Sequence, residues 1–187
     1  MYYNLDELNN IGFKSFGKNV KISNKTSIYG AEKIVVGDNV RIDDYCFLSA
    51  GEGGITLGNN IHISVYSSIA GQGAVIMEDF SGLSSRVSIY SSSDDYSGAV
   101  LTNPTVPSAF TNVIHGLVHL KKHVIVGAGT IILPGVVLEE GVAVGALSLV
   151  TKSQEEYCIV AGNPAKFLKK RKTNLKELEW KYLNSLT

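Results

Sequence analysis

A chain of 187 residues with 44% hydrophobic residues is long and apolar enough for one domain with a continuous core. Its 17 basic residues balance 17 acidic ones, which argues against nucleic acid or an anionic membrane surface as a partner. No stretch is long and apolar enough to span a membrane, and the opening MYYNLDELNN lacks the basic region and apolar run of a signal peptide. Two cysteines, Cys46 and Cys158, form no metal or redox motif and fit a reducing cytoplasm.

The first predicted element is a short helix over Asn4 to Asn10, with Leu5 and Leu8 packed on the adjoining core. From Phe16 onward a six-residue period takes over. Phe16, Ile22 and Ile28 keep step, followed by Val36, Ile42 and Leu48, then Leu57, Ile63 and Ile69, then Met77, Leu83 and Ile89. After a long break Leu120, Val126 and Ile132 resume, and Leu138, Val144 and Val150 close the series. A second inward position recurs four residues later, at Val20, Thr26, Val40, Cys46, Thr130, Val136, Val142 and Ser148. Gly127 and Gly145 fill the slot just after the aliphatic residue. Neither a helix nor an alternating strand has this period; a prism-shaped parallel β-helix does. The phase slips between Ile28 and Val36, between Leu48 and Leu57, and between Ile69 and Met77, always after a third hexad. Three hexads make one coil of a triangular prism, so the insertions leave from one edge and the chain builds about six coils.

The long break, 90–117, reads YSSSDDYSGAVLTNPTVPSAFTNVIHGLV with its flanks and leaves from that same edge. Loops of this length inside a compact solenoid are usually functional. Ser91, Ser92, Ser93, Asp94, Asp95 and Tyr96 suit a polyhydroxylated acceptor, with Tyr90 or Tyr96 able to stack on a sugar face. Asn103-Pro104 and Pro107 stiffen the remainder into an ordered arm able to wrap a neighbouring subunit. Beyond the last coil, Leu175, Leu178, Tyr182 and Leu186 give an apolar stripe on a helix from about Asn174 to Ser185, expected to cap the solenoid. The predicted organisation is a single domain, 1–187: an N-terminal cap 1–15, a β-helix 16–152 holding the loop 90–117, and a tail with a helix 153–187.

These hexads, with VIVGAGTIILPGVVLEEGVAVGALSLVTKS and the following AGNPAK, resemble the hexapeptide-repeat acyltransferases over about Phe16 to Lys172. Most similar is the branch of galactoside, maltose and nodulation-sugar O-acetyltransferases and polysaccharide-cluster acetyltransferases. The resemblance implies an all-β, left-handed parallel β-helix, a homotrimer with active sites between subunits, and acetyl-CoA as donor with no metal. It carries the family's CoA contacts onto Ala128, Ala146, Thr151, Lys152, Lys166 and Lys169. The chemistry agrees. Small corners at Gly127, Ala128, Gly145 and Ala146 let a thin pantetheine arm lie against the backbone, and Lys152, Lys166, Lys169, Lys170 and Arg171 suit its phosphates. In the resembled enzymes a comparable loop carries a catalytic histidine just after the strand; registering Val87 and Ile89 on that pattern puts Asp94 in the slot.

A hydroxyl is a weak nucleophile at neutral pH, so acyl transfer to it needs a general base. His119 and His123 sit at corners, the latter expected to face solvent, and are the weaker candidates. His62, at the corner before Ile63, and His115, returning from the loop, are the leading ones, with Asp94 itself a third. His62 is expected to meet Asp94 across a trimer interface and His115 to reach it within one chain, the carboxylate orienting the ring. The expected activity is direct transfer of acetyl from acetyl-CoA to a hydroxyl of a sugar or polysaccharide precursor, with Tyr90, Ser93, Asp94, Asp95 and Tyr96 holding the acceptor and no covalent acyl-enzyme. One alternative is an N-acetyltransferase of a nucleotide-linked amino sugar, whose amine needs no strong base. A noncatalytic β-helix for binding or assembly is another; the four histidines lack the spacing of a γ-type zinc site.

Overall fold

The computed structural model describes residues 1–185. Short parallel strands of two to four residues wind into six complete coils: 15–29, 34–50, 55–71, 75–90, 118–132 and 137–150. Each coil gives one strand to each of three sheets. The first and third faces hold six strands each and the second holds eight. The two extra strands are Cys158–Ala161, which pairs in parallel with Ala143–Val144, and Lys166–Lys170, which returns antiparallel. With the bridge between Leu138 and Gln154 they begin a seventh, partial coil. The segment expected as a tail therefore continues the solenoid, because Val160 falls in register with Val144.

The hexad residues point inward as the period requires. Ile42, Ile63, Leu83 and Val126 on the second face, and Leu48, Ile69, Ile89 and Ile132 on the third, are each at most 2% exposed. Register stacks them directly, Ile42 on Ile63 and Ile63 on Leu83. Each such side chain contributes about 1.5–3 kcal/mol on burial, and the contacts between coils hold the prism together. The insertions at 30–33, 51–54 and 72–74 and the long break all leave between the third and first faces.

At the other two corners the chain turns through a residue of positive φ, except between the second and third faces of the first coil. Between the first and second faces these are Asn19, Asn39, Asn60, Phe80, His123, Gly141 and Tyr157, one per coil. Asparagine tolerates this backbone well, whereas the aromatic residues occupy it at a cost that stacking between coils offsets. At Gly141 a Cβ would strike the Tyr157 ring at 2.5 Å, so the bare backbone is what lets that ring lie flat and its hydroxyl reach Glu140.

Helix α1, Leu5–Ile11, opens with a capping box in which Asn4 and Glu7 satisfy each other's backbone amides. Leu8 is buried on the first coil, but Leu5, at the first position of the helix, is 65% exposed, contrary to expectation. Helix α2, Leu175–Asn184, does not cap an end. It runs down the corner between the first and second faces. Lys176 meets Glu140 of coil six, Glu179 meets Lys122 and His123 of coil five, and Tyr182 packs on Phe80 of coil four. Three helical residues rise about 4.5 Å. Neighbouring strands lie about 4.8 Å apart. Residues three apart on α2 therefore meet successive coils. Leu186 lies outside the described residues.

This docking overturns the expectation that His123 faces solvent. Its side chain is 7% exposed, stacked on Phe80 at 5.3 Å and paired with Glu179 through Nε2 at 2.8 Å. Burial pushes the Glu179 carboxyl up, but hydrogen bonds from Lys122 and His123 outweigh it and leave it below the usual range.

Candidate active site

The outward column of the second face reads Lys21, Arg41, His62, Gly82, Ile125, Ala143 and Ile159, one residue per coil in register. His62 is half-exposed. Its Nε2 lies 2.7 Å from Asp43 Oδ2, and Arg41 Nε donates to Asp43 Oδ1 at 2.7 Å. Burial alone would raise the Asp43 carboxyl; the hydrogen bonds from His62 and Arg41 bring it below its ordinary value. His62 thus has a carboxylate partner from its own chain, one coil away. The residue expected in that role, Asp94, stands on a different edge of the prism, where the arm leaves. With Nε2 directed at Asp43, Nδ1 is left for another partner.

Beside His62 an open cleft of about 300 Å³ is lined by Ser64, Gly82, Ser84, Ser85 and Ile125. Ser84 was not singled out from the sequence, although a signal was there. The corner position after each inward aliphatic residue reads Asp43, Ser64, Ser84, Gly127, Gly145. It is polar through coil four and has no side chain in coils five and six.

Backbone bonds from Ser64 N to Leu83 O, Ser84 N to Val126 O and Gly127 N to Val144 O stack this column. A Cβ at Gly127 would lie 2.5 Å from Ala146 N and 2.7 Å from the Gly145 carbonyl carbon, so the upper corner stays bare. Ala128 and Ala146 are exposed next to it. Lys166 lies opposite Ala161 at the same corner, and Lys169 opposite Ile159. Thr151 and Lys152 follow Val150 and sit where the third face gives way to the first. One chain therefore spreads the six expected CoA residues over two edges, because each new hexad turns onto a new face. Lys152, Lys166 and Lys169 are exposed and form no ion pair among the described residues, whereas Lys121 and Lys122 are taken up by Glu139 and Glu179. Arg171, grouped with the phosphate-facing cations from sequence, has a different role. Its Nη1 donates to the carbonyls of His123 and Gly141, both at 2.9 Å, and burial lowers its pKa.

The arm is ordered. Ser92–Ser93 and Ile114–His115 pair antiparallel as its stalk, and Leu101 bridges Thr111 further out. This register sets His115 against Ser92, whose Oγ lies 2.8 Å from His115 Nδ1, so His115 pairs with Ser92 instead of Asp94. Asp94 falls one residue beyond the stalk. Its carboxylate accepts no hydrogen bond and makes no ion pair among the described residues, while Ser93 Oγ donates to its backbone carbonyl at 3.2 Å. Asp95 is instead committed to the arm. It accepts from Ser97 N at 2.7 Å and Asn112 Nδ2 at 3.0 Å, and these bonds hold its carboxyl down at about 2. Asp94, Asp95 and Tyr96 line an open cleft of about 530 Å³, with Tyr96 91% exposed; Tyr90 is less so. A cleft of about 790 Å³ separates the arm from the insertion edge, with Gln72, Ser92, Asn112 and His115 on its walls.

The remaining groups are occupied. His119 Nε2 pairs with Glu78 at 2.7 Å. Cys46 and Cys158 are buried free thiols, and burial raises both. Among the described residues no group of three or more His, Cys, Asp or Glu is placed to hold a metal ion, and no helix is long and apolar enough to cross a membrane.

A dTDP-4-amino-4,6-dideoxy-D-glucose acyltransferase of Escherichia coli is 54% identical over 177 residues, covering 94% of this chain and 92% of that protein. The chain belongs to the hexapeptide-repeat sugar acyltransferases. Its prism is accordingly the left-handed parallel β-helix of that family, and it is an acyltransferase. AntD, an N-acyltransferase from Bacillus cereus solved with dTDP and 3-hydroxybutyryl-CoA, is 46% identical with 99% of this chain and 97% of that chain covered and a TM-score of 0.94. AntD has also been solved as D94N with dTDP and coenzyme A and as S84C with dTDP-4-amino-4,6-dideoxyglucose and coenzyme A, each 47% identical to this chain. The lipopolysaccharide O-acetyl transferase WbbJ of Escherichia coli (strain K12), itself a putative assignment, is more distant, at 29% identity over 80% of this chain and 74% of that protein. No family model matches the chain.

Proposed function

We propose that this chain is an N-acyltransferase that moves an acyl group from acyl-CoA to the amine of a dTDP-linked 4-amino-4,6-dideoxy sugar. The observation that carries the reading is Asp94, a carboxylate without a partner among the described residues on an ordered arm; by the resemblance it takes the slot in which the sugar O-acetyltransferases carry a histidine. A hydroxyl acceptor calls for a histidine base. An amine arrives as an ammonium ion, for which a carboxylate is both counter-ion and proton acceptor. AntD has been solved with its Asp94 and its Ser84 replaced, and this chain holds Asp94 and Ser84. These comparisons favour the amine over the hydroxyl, which the more distant WbbJ supports.

The residues fit the donor. Lys152, Lys166 and Lys169, unpaired among the described residues, are suited to its phosphates, Thr151 stands beside the first of them, and the bare corner at Gly127, Ala128, Gly145 and Ala146 admits a pantetheine arm. Ser84 and His62 then flank the reacting end, with His62 fixed by Asp43. Asp94 holds the acceptor's ammonium, takes a proton and leaves a neutral amine. As the nitrogen bonds to the acyl carbon the C–S bond breaks, the second proton of the nitrogen passes to the leaving thiolate, and coenzyme A departs as the thiol. Ser93, Tyr90 and Tyr96 contact the sugar. Because His62 and Asp94 occupy different edges, the site forms between subunits of a homotrimer. Exposed apolar residues on the arm, Leu101, Phe110, Ile114 and Leu117, suit burial against a neighbour. Two free buried cysteines suit a cytoplasmic enzyme, and the product suits a polysaccharide precursor.

The test is thiol release from acetyl-CoA with dTDP-4-amino-4,6-dideoxyglucose and with its 4-hydroxy counterpart. The reading expects turnover of the amine alone, reduced at least a hundredfold in Asp94→Asn. Equal turnover of the hydroxyl sugar would return the protein to the O-acetyltransferases.

A further inference from the structure

The amine mechanism leaves one titratable pair at the reacting end without a task. Asp94 receives the first proton of the acceptor and the leaving thiolate the second, so neither passes through His62. Yet His62 is held as a general base is held. Arg41 and His62 bind the two oxygens of Asp43, whose side chain is only 16% exposed. An ionised carboxylate only accepts, so Nε2 of the neutral ring carries the proton and the lone pair lies on Nδ1. Nδ1 meets no partner among the described residues, and half of the His62 side chain is open to solvent.

The strand above the ring carries Gly82, where a Cβ would make only ordinary contacts, with the His62 carbonyl oxygen at 3.5 Å and Ile125 Cδ1 at 3.8 Å. The missing side chain keeps the ring open to the cleft of about 300 Å³, which the hydroxyl-bearing Ser64, Ser84 and Ser85 also line. A water takes up about 30 Å³ and needs two to four polar partners, which His62 Nδ1 and these hydroxyls supply. The cleft is too small for a nucleotide sugar, and Asp94, which receives the amine, stands on another edge. The oxygen nucleophile that reaches His62 is therefore water. We propose that this chain also hydrolyses its acyl-CoA donor, slowly, when no amine is bound, with His62 as general base and Asp43 as the residue that positions it. The water oxygen bonds to the acyl carbon as its proton passes to Nδ1; the C–S bond then breaks, that proton moves to the thiolate, and a carboxylic acid and coenzyme A leave. This inference rests on the donor half of the function proposed above and is independent of the acceptor.

Acetyl-CoA alone in imidazole-free buffer tests it, with acetate and thiol both measured. The wild type is expected to release the two in equal amounts and faster than buffer does. General-base catalysis contributes about 10²- to 10⁴-fold, so His62→Gly and His62→Gln are each expected to lose at least about a hundredfold in kcat. Added imidazole is expected to restore His62→Gly saturably and to leave His62→Gln unchanged, a result that a merely structural histidine would not give. Asp43→Asn is expected to lose at least about tenfold in kcat, with KM for acetyl-CoA changed less than about threefold. Hydrolysis no faster than buffer, from a wild type that binds coenzyme A by calorimetry, would overturn the inference. So would hydrolysis that survives in both His62 variants, or a loss in His62→Gly that imidazole leaves unrepaired. Failure of the donor reading shows differently, as absent coenzyme A binding, and failure of the amino-sugar reading as absent amide with acetate still formed.

Discussion

Arg171 offers a sharp test of the boundary between scaffold and donor site. The substitution is Arg171→Met, which keeps an unbranched apolar stem as far as the Nε position and removes the guanidinium. Two hydrogen bonds from a charged donor disappear, those to the carbonyls of His123 and Gly141. Bonds of this kind contribute about 1.5–3 kcal/mol each. Arg171 is only partly buried, so water recovers some of the loss at both carbonyls, and we expect a net cost of about 2–3 kcal/mol. For a chain of this length that lowers the melting temperature by roughly 4–12 °C. The assay is thermal unfolding at fixed protein concentration, beside calorimetric titration of coenzyme A. Coenzyme A affinity is expected to change less than threefold. Lys166→Ala and Lys169→Ala should behave oppositely, weakening coenzyme A binding in a salt-dependent way with little change in melting temperature. A tenfold loss of affinity in Arg171→Met without a fall in stability would make Arg171 a phosphate ligand and refute this assignment.

Gly127→Ala places a methyl against the backbone of the next coil and should cost about 1–3 kcal/mol, with a loss of coenzyme A binding by calorimetry that Gly82→Ala does not share for free coenzyme A. Glu179→Ala strips Lys122 and His123 of their shared partner, and we expect about 1–2 kcal/mol of local loss. It should be read as roughly tenfold faster amide exchange within Leu175–Asn184 and unchanged exchange in the coils. The Asp95 carboxyl is depressed from 3.8 to about 2 by its bonds from Ser97 and Asn112, so its contribution is complete above about pH 4 to 5 and is lost as pH falls through about 2. Proteolysis of the arm by an acid-active protease should accelerate across that window in the wild type, and Asp95→Asn should show the faster cleavage already at pH 5.

The prism was legible because its signal is local and repeated. Ile22, Ile42 and Ile63 needed only the period to be placed inside, and the phase slips placed every insertion on one edge. The misplacements share a cause. Phe80 and Glu179, which bury His123, lie 43 and 56 residues away, and the docking of α2 depends on a helix rise matching a strand spacing, which no hydrophobic stripe records. Asp43 and His62 are 19 residues apart, one coil plus its insertion, so their pairing follows from the coil arithmetic once it is applied to polar residues as well as apolar ones. Ser84 was accessible the same way, from the corner column that turns from serine to glycine above coil four. Asp94 stood out in sequence as a departure from a pattern; the structure adds that its carboxylate has no partner among the described residues while that of its neighbour Asp95 is held.

The most direct test of the account is a single competition in which acetyl-CoA meets equal amounts of dTDP-4-amino-4,6-dideoxyglucose and the 4-hydroxy sugar nucleotide, with products separated by mass. The account predicts an amide alone from the wild type and at least a hundredfold less of it from Asp94→Asn. An ester product, or an amide formed as fast by the Asp94→Asn protein, would contradict it.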